Sequence, residues 1–554
     1  MLCLIHQGNP IVAAVRHNLD RLKASIELAA QNNARLVITP ELALIGYPPR
    51  DLLAYPELYK AEQRAMTELA QVSKEKKLAV LVGHIEKVPC IESNYFYNCA
   101  TLFDHGKKVG TIRKQRLPNY DVFEENRFFE AWSKEQEPLF LDGKRLGIFI
   151  CEDAWDDTPA FGVHDIKYHS EASSPWPQLK DCDLLINLSA SPYSTKKRLR
   201  RQELFSQKAR ELQTPLLYSN CVGAQDDILF DGGSFACSKN GEIIKQAKLF
   251  ETDTLLVNPL EDNTGTPNVI EYCHWKELSQ ALTMGLKDYG KKNNLSKAVL
   301  GLSGGIDSAL AACIAAKALG PENILGVSLP TNITSTQSKQ LAKSVAEALK
   351  IEFLEVNIAP SVERLSSDFC IPVTEMAYEN LQARIRGTYL MSQANLRNSL
   401  LIATCNKSEA AMGYTTLYGD MCGTLAPLAD LYKTEVYALA YYFKYVEKVN
   451  LPYELLLRAP TAELREQQLD TDSLPPYAVL DVALRDLIEN QGLQFFAGEF
   501  DEFIEKYKLN KLFSRIMNFE FKRAQSGPVL KIHHRAFGSG WRMPLSKDLS
   551  QLDK

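Results

Sequence analysis

The sequence predicts an α/β protein made of two units in tandem. Three observations predict it. The chain has 554 residues, too many for one ordinary core at roughly 100–200 residues per domain. Short apolar runs alternate with segments whose apolar residues recur at helical spacing. A polar stretch containing Pro and Gly, Asn258–Asn268, interrupts this alternation, which then restarts.

Taken in order, Leu2–Gln7 reads as a short strand and Asn18–Asn32 as a helix, with Leu19, Leu22, Ile26, Leu28 and Ala29 at helical spacing. Arg35–Thr39, Leu78–Ile85, Arg145–Cys151, Asp183–Leu188, Pro215–Val222 and Ile228–Cys237 read as further strands. Beyond the linker, Leu278–Lys291 reads as a helix, Ala298–Leu302 as a strand and Ala309–Leu319 as an Ala-rich helix. Ile324–Leu329 and Glu352–Val356 are strand-like, and the alternation runs to about Lys448. The tail after Leu451 is richer in Pro, aromatic and charged residues and is expected to wrap a domain. The domains predicted are residues 1–262 and 263–554. Pro159–Pro177, with Gly, Pro, Ser and two His, reads as a surface insertion, either a lid or an interface loop.

Composition narrows the function. Hydrophobic residues make up 45% and charged residues 24%, ordinary for a folded chain. The net charge of -5 leaves no basic footprint for nucleic acid. The cluster Lys196, Lys197, Arg198, Arg200 and Arg201 reads as a solvated helix start. No apolar stretch approaches the ~18–20 residues that cross a bilayer, and no secretory leader is visible. The 12 cysteines form no Cys-x-x-Cys pair or zinc pattern. Buried thiols in a reducing, cytoplasmic setting are expected.

The most specific local signal comprises Gly301, Leu302, Ser303, Gly304, Gly305, Ile306, Asp307 and Ser308, between a strand and a helix. Glycines let backbone N–H groups approach an anion, and the helix N-terminus favours negative charge. Ser303 and Ser308 can donate hydroxyl hydrogen bonds. Asp307 would repel a bare phosphate, so it is expected to hold Mg²⁺ that bridges phosphates. No Gly-Lys-Ser/Thr follows, which excludes a Walker A loop. The segment resembles the pyrophosphate loop of the PP-loop ATP pyrophosphatases, which cleave ATP between the α- and β-phosphates.

Further segments extend the resemblance: Glu379-Asn-Leu-Gln-Ala-Arg-Ile-Arg-Gly387, Thr404-Cys-Asn-Lys-Ser-Glu409, Gly413-Tyr-Thr-Thr-Leu-Tyr-Gly-Asp420, Asp430-Leu-Tyr-Lys-Thr434, Glu520-Phe-Lys-Arg523, Lys531 and Arg535-Ala-Phe-Gly538. Over about 280 residues this half resembles the NAD synthetases. The resemblance implies a Rossmann-like, adenine nucleotide alpha hydrolase-like parallel sheet. It implies ATP at Gly301–Ser308 and Thr404, Mg²⁺ at Asp307 and Glu409, and deamido-NAD at Asn380, Arg384, Glu409 and Lys522. Asp420 and Lys433 are secondary candidates. Cations such as Lys407, Lys433 and Lys522 would stabilise charge on phosphate oxygens. The sequence departs from the family at Cys405, where Gly is usual, and in Thr331-Asn-Ile-Thr-Ser335, where Ser/Tyr-rich sequence is usual. A rival reading is another PP-loop amidating or thiolating enzyme, one that uses aspartate, xanthylate or tRNA. The Asn406–Glu409 and Phe521–Arg523 segments argue against it.

In the first half, Glu41, Lys114 and Cys151 each follow a strand-like segment. Together they are chemically complete for amide cleavage: a carboxylate to take the thiol proton, a thiolate to attack, and an ammonium to stabilise the anions. Their contexts are Thr39-Pro-Glu-Leu42, Lys114-Gln-Arg-Leu-Pro-Asn-Tyr120 and Ile150-Cys-Glu-Asp153, with Val122–Phe129 and Ser189-Ala-Ser-Pro192 alongside. Over about 250 residues they resemble the nitrilase (carbon–nitrogen hydrolase) superfamily. The resemblance implies an α-β-β-α sandwich, a supporting carboxylate at Glu125, and glutamine contacts at Tyr120, Ser191 and Lys197. A nitrilase-like amidase fused to an ammonia-using synthetase implies L-glutamine, ATP and deamido-NAD as small-molecule partners. It also implies passage of ammonia between sites, and a homo-oligomer that is at least a dimer through the synthetase domain. An idle first half, acting as a scaffold, is the second rival.

Overall fold

The computed structural model describes residues 1–89, 95–155, 174–261, 269–489, 507 and 511–548. The insertion at 159–177 therefore lies outside the described residues except for 174–177, as does 262–268 of the linker. The chain divides into two compact units, Met1–Glu277 and Leu278–Lys554.

The first unit contains β1 (Cys3–Gln7), α1 (Val15–Gln31), β2 (Leu36–Ile38), α2 (Pro56–Lys76), β3 (Ala79–Lys87), β4 (Phe96–Asp104) and β5 (Lys107–Arg113). There follow β6 (Leu139–Leu141), β7 (Lys144–Ile150), β8 (Leu184–Ser189), α3 (Lys197–Leu212), β9 (Leu216–Asn220), β10 (Val222–Gln225), β11 (Ile228–Asp231), β12 (Phe235–Cys237), β13 (Ile243–Gln246) and β14 (Asp253–Val257). Two six-stranded sheets form, in the orders β14-β1-β2-β3-β4-β5 and β13-β12-β9-β8-β7-β6, and β10 and β11 pair as a separate two-stranded sheet. Each six-stranded sheet has three parallel strands at its centre, β1-β2-β3 and β7-β8-β9.

Alternation along these strands sorts the core into layers. Leu4, Val37 and Val80 face α1 and α2. Their neighbours Ile5, Leu36 and Leu81 meet Ile148, Ile186 and Leu188 of the other sheet. Phe149, Leu185 and Tyr218 turn outward to Phe205 and Ala209 of α3. The result is the α-β-β-α sandwich.

The structure revises two strand expectations. Ile228–Cys237 is two strands in different sheets, because Gly232 and Gly233 both take positive φ, +63° and +61°, and turn the chain between them. β4 and β5 were missed. β5, Lys-Lys-Val-Gly-Thr-Ile-Arg, is a polar edge strand without an apolar run. It is joined to β4 by His105 and Gly106, at φ +48° and +81°, a hairpin turn that Gly makes cheap.

The second unit comprises α4 (His274–Lys292), β15 (Ala298–Gly301), α5 (Ile306–Leu319), β16 (Ile324–Ser328), α6 (Thr336–Leu349), β17 (Glu352–Glu355), α7 (Ala359–Asp368), α8 (Met376–Arg397), β18 (Leu400–Ile402), α9 (Lys407–Met412), α10 (Lys433–Tyr445), α11 (Glu454–Leu457) and α12 (Tyr477–Glu489). Its sheet is wholly parallel, in the order β17-β16-β15-β18. The chain winds one way from β15 and returns to its other side with β18. That makes a switch point between β15 and β18, where open α/β sheets bind ligands. The tail packs back onto this unit: Leu480, Leu484 and Ile488 share a core with Ala411 and Tyr432. Among the described residues, no helix is long and apolar enough to cross a membrane.

Candidate active sites

The first unit brings Glu41, Lys114 and Cys151 together at strand ends. Lys114 directly follows β5, and its side chain is fully buried. Its Nζ lies 2.7 Å from Glu41 Oε1 and 2.8 Å from Glu125 Oε1. Asn98 Nδ2 donates to Glu41 Oε1 at 2.7 Å, the Ala190 N–H to Glu41 Oε2 at 2.8 Å, and Tyr47 O–H to Glu125 Oε1 at 2.8 Å. Burial opposes the charge on Lys114, but Glu125 and Glu41 outweigh it and hold the ammonium well above its usual range. Burial, with the charge on Glu41 adding, pushes the Glu125 carboxyl up to about 7, against the pull of Lys114.

Cys151 follows β7 and sits at φ +45°, a left-handed conformation uncommon for a residue with a side chain. Burial and then the charge on Glu41 push its thiol well up, against the pull of Lys114.

Glu41 is aimed by a close passage of backbone. The Gly83 N–H donates to Thr39 Oγ1 at 3.0 Å. A Cβ at Gly83 would stand 2.4 Å from the Pro40 carbonyl oxygen and 3.0 Å from Glu41 Cα. Gly83→Ala is thus expected to displace Glu41 and lower amide cleavage at this corner by about 100-fold, with the fold intact; steady-state amidase assays and circular dichroism check this.

The three predicted glutamine contacts surround the same corner. Tyr120 O–H donates to Glu152 Oε1 at 3.0 Å, beside Cys151. The Ser191 N–H donates to Asn220 Oδ1 at 2.9 Å, and Arg201 Nη1 donates to the Ser191 carbonyl at 3.4 Å. Lys197 opens α3 and is buried; burial, with Arg201 adding, lowers its ammonium to about 8. The basic cluster is thus a solvated helix start only in part: Lys196 and Arg200 are exposed. Lys197, Arg198 and Arg201 are all buried, on the helix face toward the sheet, and Arg198 pairs with Glu277 while Arg201 pairs with Asp231. Sequence reading missed Asp231 and Asn220 because their partners are distant in the chain.

In the second unit, every residue from Gly301 to Ser308 lines one cavity of about 280 Å³, with Thr404, Glu409, Asp420 and Lys433. The cavity lies at the switch point. Gly304 takes φ +79°, and a Cβ there would stand 2.3 Å from the Ser338 carbonyl oxygen, so only Gly fits. The Ser303 and Ser308 hydroxyl oxygens lie 3.1 Å apart. Lys433 Nζ bridges Asp307 Oδ2 at 2.5 Å and Glu409 Oε1 at 3.1 Å. Asn406 Nδ2 donates to Asp307 Oδ1 at 2.8 Å, and the same residue caps α9 above Glu409. Burial, with Asp307 adding and Lys433 opposing, pushes the Glu409 carboxyl up to about 8.

The carbon–nitrogen hydrolase model matches residues 5–161 and the NAD synthase model residues 278–526. A glutamine-dependent NAD(+) synthetase from Synechocystis sp. is 40% identical over 98% of this chain and 98% of that one. The Thermotoga maritima glutamine-dependent NAD(+) synthetase is 36% identical over 98% and 97%. The chain belongs to the glutamine-dependent NAD(+) synthetases. Among solved structures, a glutamine-dependent NAD(+) synthetase from Acinetobacter baumannii in complex with ADP superposes with a TM-score of 0.75, at 32% identity and 98% coverage of each chain.

Within this synthetase some predicted residues stand elsewhere. Lys407 does not face the switch-point cavity. It is fully buried, with Nζ 2.8 Å from Asp430 Oδ1 and 2.7 Å from the Arg535 carbonyl oxygen; as the first residue of α9 it points to the tail while Glu409 points to the cavity. Asn380, Arg384 and Lys522, expected at deamido-NAD, gather around the loop 413–417. Asn380 Oδ1 accepts from Thr416 Oγ1 at 2.8 Å, Arg384 Nε donates to the Leu417 carbonyl at 3.2 Å, and Lys522 Nζ donates to the Gly413 and Thr415 carbonyls at 2.8 and 2.6 Å. Of the two departures from the family, Cys405 is a buried thiol in the cavity wall, and Ser335 caps α6 by accepting from the Ser338 N–H.

Sequence reading missed Arg386, which lines the cavity and whose guanidinium burial lowers to about 10. It also missed Arg458 and Glu463, paired at 2.7 Å on the tail and likewise in the cavity wall. No motif marks that part of the tail.

Proposed function

We propose that Cys151 attacks the side-chain amide of L-glutamine while Glu41 takes the thiol proton. The oxyanion then forms beside the Lys114 ammonium. Collapse transfers a proton to the leaving nitrogen, releases ammonia and leaves a thioester, which water hydrolyses to glutamate. In the switch-point cavity, the nicotinate carboxylate of deamido-NAD attacks the α-phosphorus of ATP. Pyrophosphate leaves and an NAD-adenylate forms, from which ammonia displaces AMP to give NAD.

The observation that carries the reading is the fully buried Lys114 ammonium held between Glu41 and Glu125 beside Cys151. Removing that charge from water is costly; the carboxylates that offset the cost stand beside a thiol, and together they make a complete set for amide cleavage. Asn380, Arg384 and Lys522, clustered on the 413–417 loop, are the groups assigned to deamido-NAD, and Tyr120, Ser191 and Lys197 those assigned to glutamine.

Among the described residues, no cluster of three or more His, Cys, Asp or Glu could hold a metal. Asp307 and Glu409 do fit Mg²⁺: two carboxylates close enough to share one ammonium supply hard oxygen donors, and Mg²⁺ commonly takes one or two of these with substrate phosphates. When bound it would neutralise charge on the phosphate oxygens. Lys433, Ser303 and Ser308 would hold the same oxygens by hydrogen bonds. The exposed apolar residues Phe369, Val373 and Met376 suit cover by a second copy, in keeping with a homo-oligomer.

Ammonia passed internally stays unprotonated, whereas in neutral water it is mostly ammonium. One assay tests the scheme: unlabelled glutamine, ATP and ¹⁵N-ammonium at low concentration, with deamido-NAD, xanthylate or aspartate as acceptor. AMP is expected with deamido-NAD alone, and unlabelled NAD as the product. AMP only with another acceptor would overturn the substrate assignment. Full ¹⁵N incorporation would overturn internal passage.

A further inference from the structure

Asp153 stands two residues after Cys151 and is 1% exposed. Its Oδ2 accepts from the Ile150 N–H at 3.0 Å, a bond that reaches back across Cys151. Its Oδ1 accepts from the Gln115 N–H at 2.9 Å and the Arg116 N–H at 2.8 Å, the two amides directly after Lys114. The strand that delivers Lys114 belongs to one sheet and the strand that delivers Cys151 to the other. A single carboxylate therefore ties together the strand ends that carry the ammonium and the thiol.

The tie has two physical parts. Bonds from N–H groups to a carboxylate are charge-assisted and stronger than neutral ones. Burial pushes the Asp153 carboxyl up to about 6, against the pull of these amides and Lys114, which leaves it ionised and accepting at neutral pH. The Ile150 bond also closes the turn in which Cys151 is left-handed, a conformation that persists only when its surroundings impose it. An amide side chain could not take over the role. It offers one acceptor oxygen, and its NH₂ would face an N–H.

We infer that Asp153 is a positioning residue of the amide-cleaving site, fixing the nucleophile's turn against the end of the lysine's strand. The inference rests on the reading of Cys151 as nucleophile and Lys114 as the oxyanion's partner. Asp153 itself touches no reacting atom. It acts through where those two groups stand.

The test is Asp153→Asn in the full chain, with three readouts: kcat and KM for glutamine, ammonia-supported synthesis, and the pH profile of Cys151 alkylation by chloroacetamide. The expected result is a fall of about 100-fold in glutamine kcat, with KM little changed and ammonia-supported synthesis retained. The alkylation midpoint is expected to shift, because Lys114 no longer sits at a fixed place beside the sulfur; a merely structural lesion would leave the midpoint alone and lower both activities. Should D153N not fold, Asp153→Glu keeps both oxygens and is expected to lose about tenfold in glutamine kcat. Wild-type glutamine kcat with an unmoved alkylation profile, in D153N or in D153E as its replacement, would overturn the inference. Undiminished glutamine use by Cys151→Ala would instead overturn the site assignment on which it rests.

Discussion

Cys151→Ala is expected to cut glutamine-supported NAD formation by at least about 10³-fold while ammonia-supported formation keeps its rate. The loss is large because no other group replaces the bond that sulfur makes. The substitution is also gentle on the fold. Alanine faces the same left-handed backbone that Cys151 already tolerates at φ +45°, and it removes one atom from a corner held by Glu41, Lys114 and Glu125. Nothing in the switch-point cavity changes, since that cavity is lined by residues of the second unit. Chromatographic measurement of NAD with glutamine and then with ammonium as nitrogen source checks both halves. Glutamine use at the wild-type rate would remove Cys151 from the mechanism.

Lys433→Met has the opposite signature: a fall of about 10²–10³-fold with both nitrogen sources. Methionine keeps the stem and removes the ammonium that bridges Asp307 at 2.5 Å and Glu409 at 3.1 Å. Two carboxylates then face each other, and in the proposed reaction the phosphate oxygens lose a cation. Stability should follow pH in a defined direction. The Glu409 carboxyl already stands at about 8, above the roughly 4.3 of an unfolded chain. The folded state therefore binds the proton more tightly, and stability is lost as pH rises from the unfolded value through the folded one. Without Lys433 the folded value climbs further, so the variant should melt lower relative to wild type at pH 9 than at pH 6. Equal offsets at both pH values would contradict the coupling, and intact ammonia-supported synthesis would contradict the catalytic assignment.

Much of this molecule was legible because its chemistry is local in sequence. The loop from Gly301 to Ser308 is a strand end, a turn and a helix start, and each part constrains the next within a few residues. Glu41, Lys114 and Cys151 were legible for a different reason: their residue types are chemically complete for amide cleavage, and the motif around each is local in sequence. What escaped was long-range or one-sided. The edge strand β5 has no apolar run to reveal it. The direction of Lys407 depends on Asp430 and on the tail at Arg535, more than a hundred residues onward. Arg198 and Arg201 read as solvated because their carboxylates, Glu277 and Asp231, cannot be paired with them by spacing. Arg458 and Glu463 reach the cavity only through the path of the tail, which no periodicity encodes.

The one-and-a-half-turn helix α9 gives neighbouring positions unrelated duties. Glu409 faces the switch-point cavity, whereas Lys407, two places earlier, answers to the carboxyl-terminal strap. Selection on these few consecutive letters would accordingly have two independent sources. A descendant that abandoned synthesis while keeping its architecture would be free to shed the acid and obliged to keep the base.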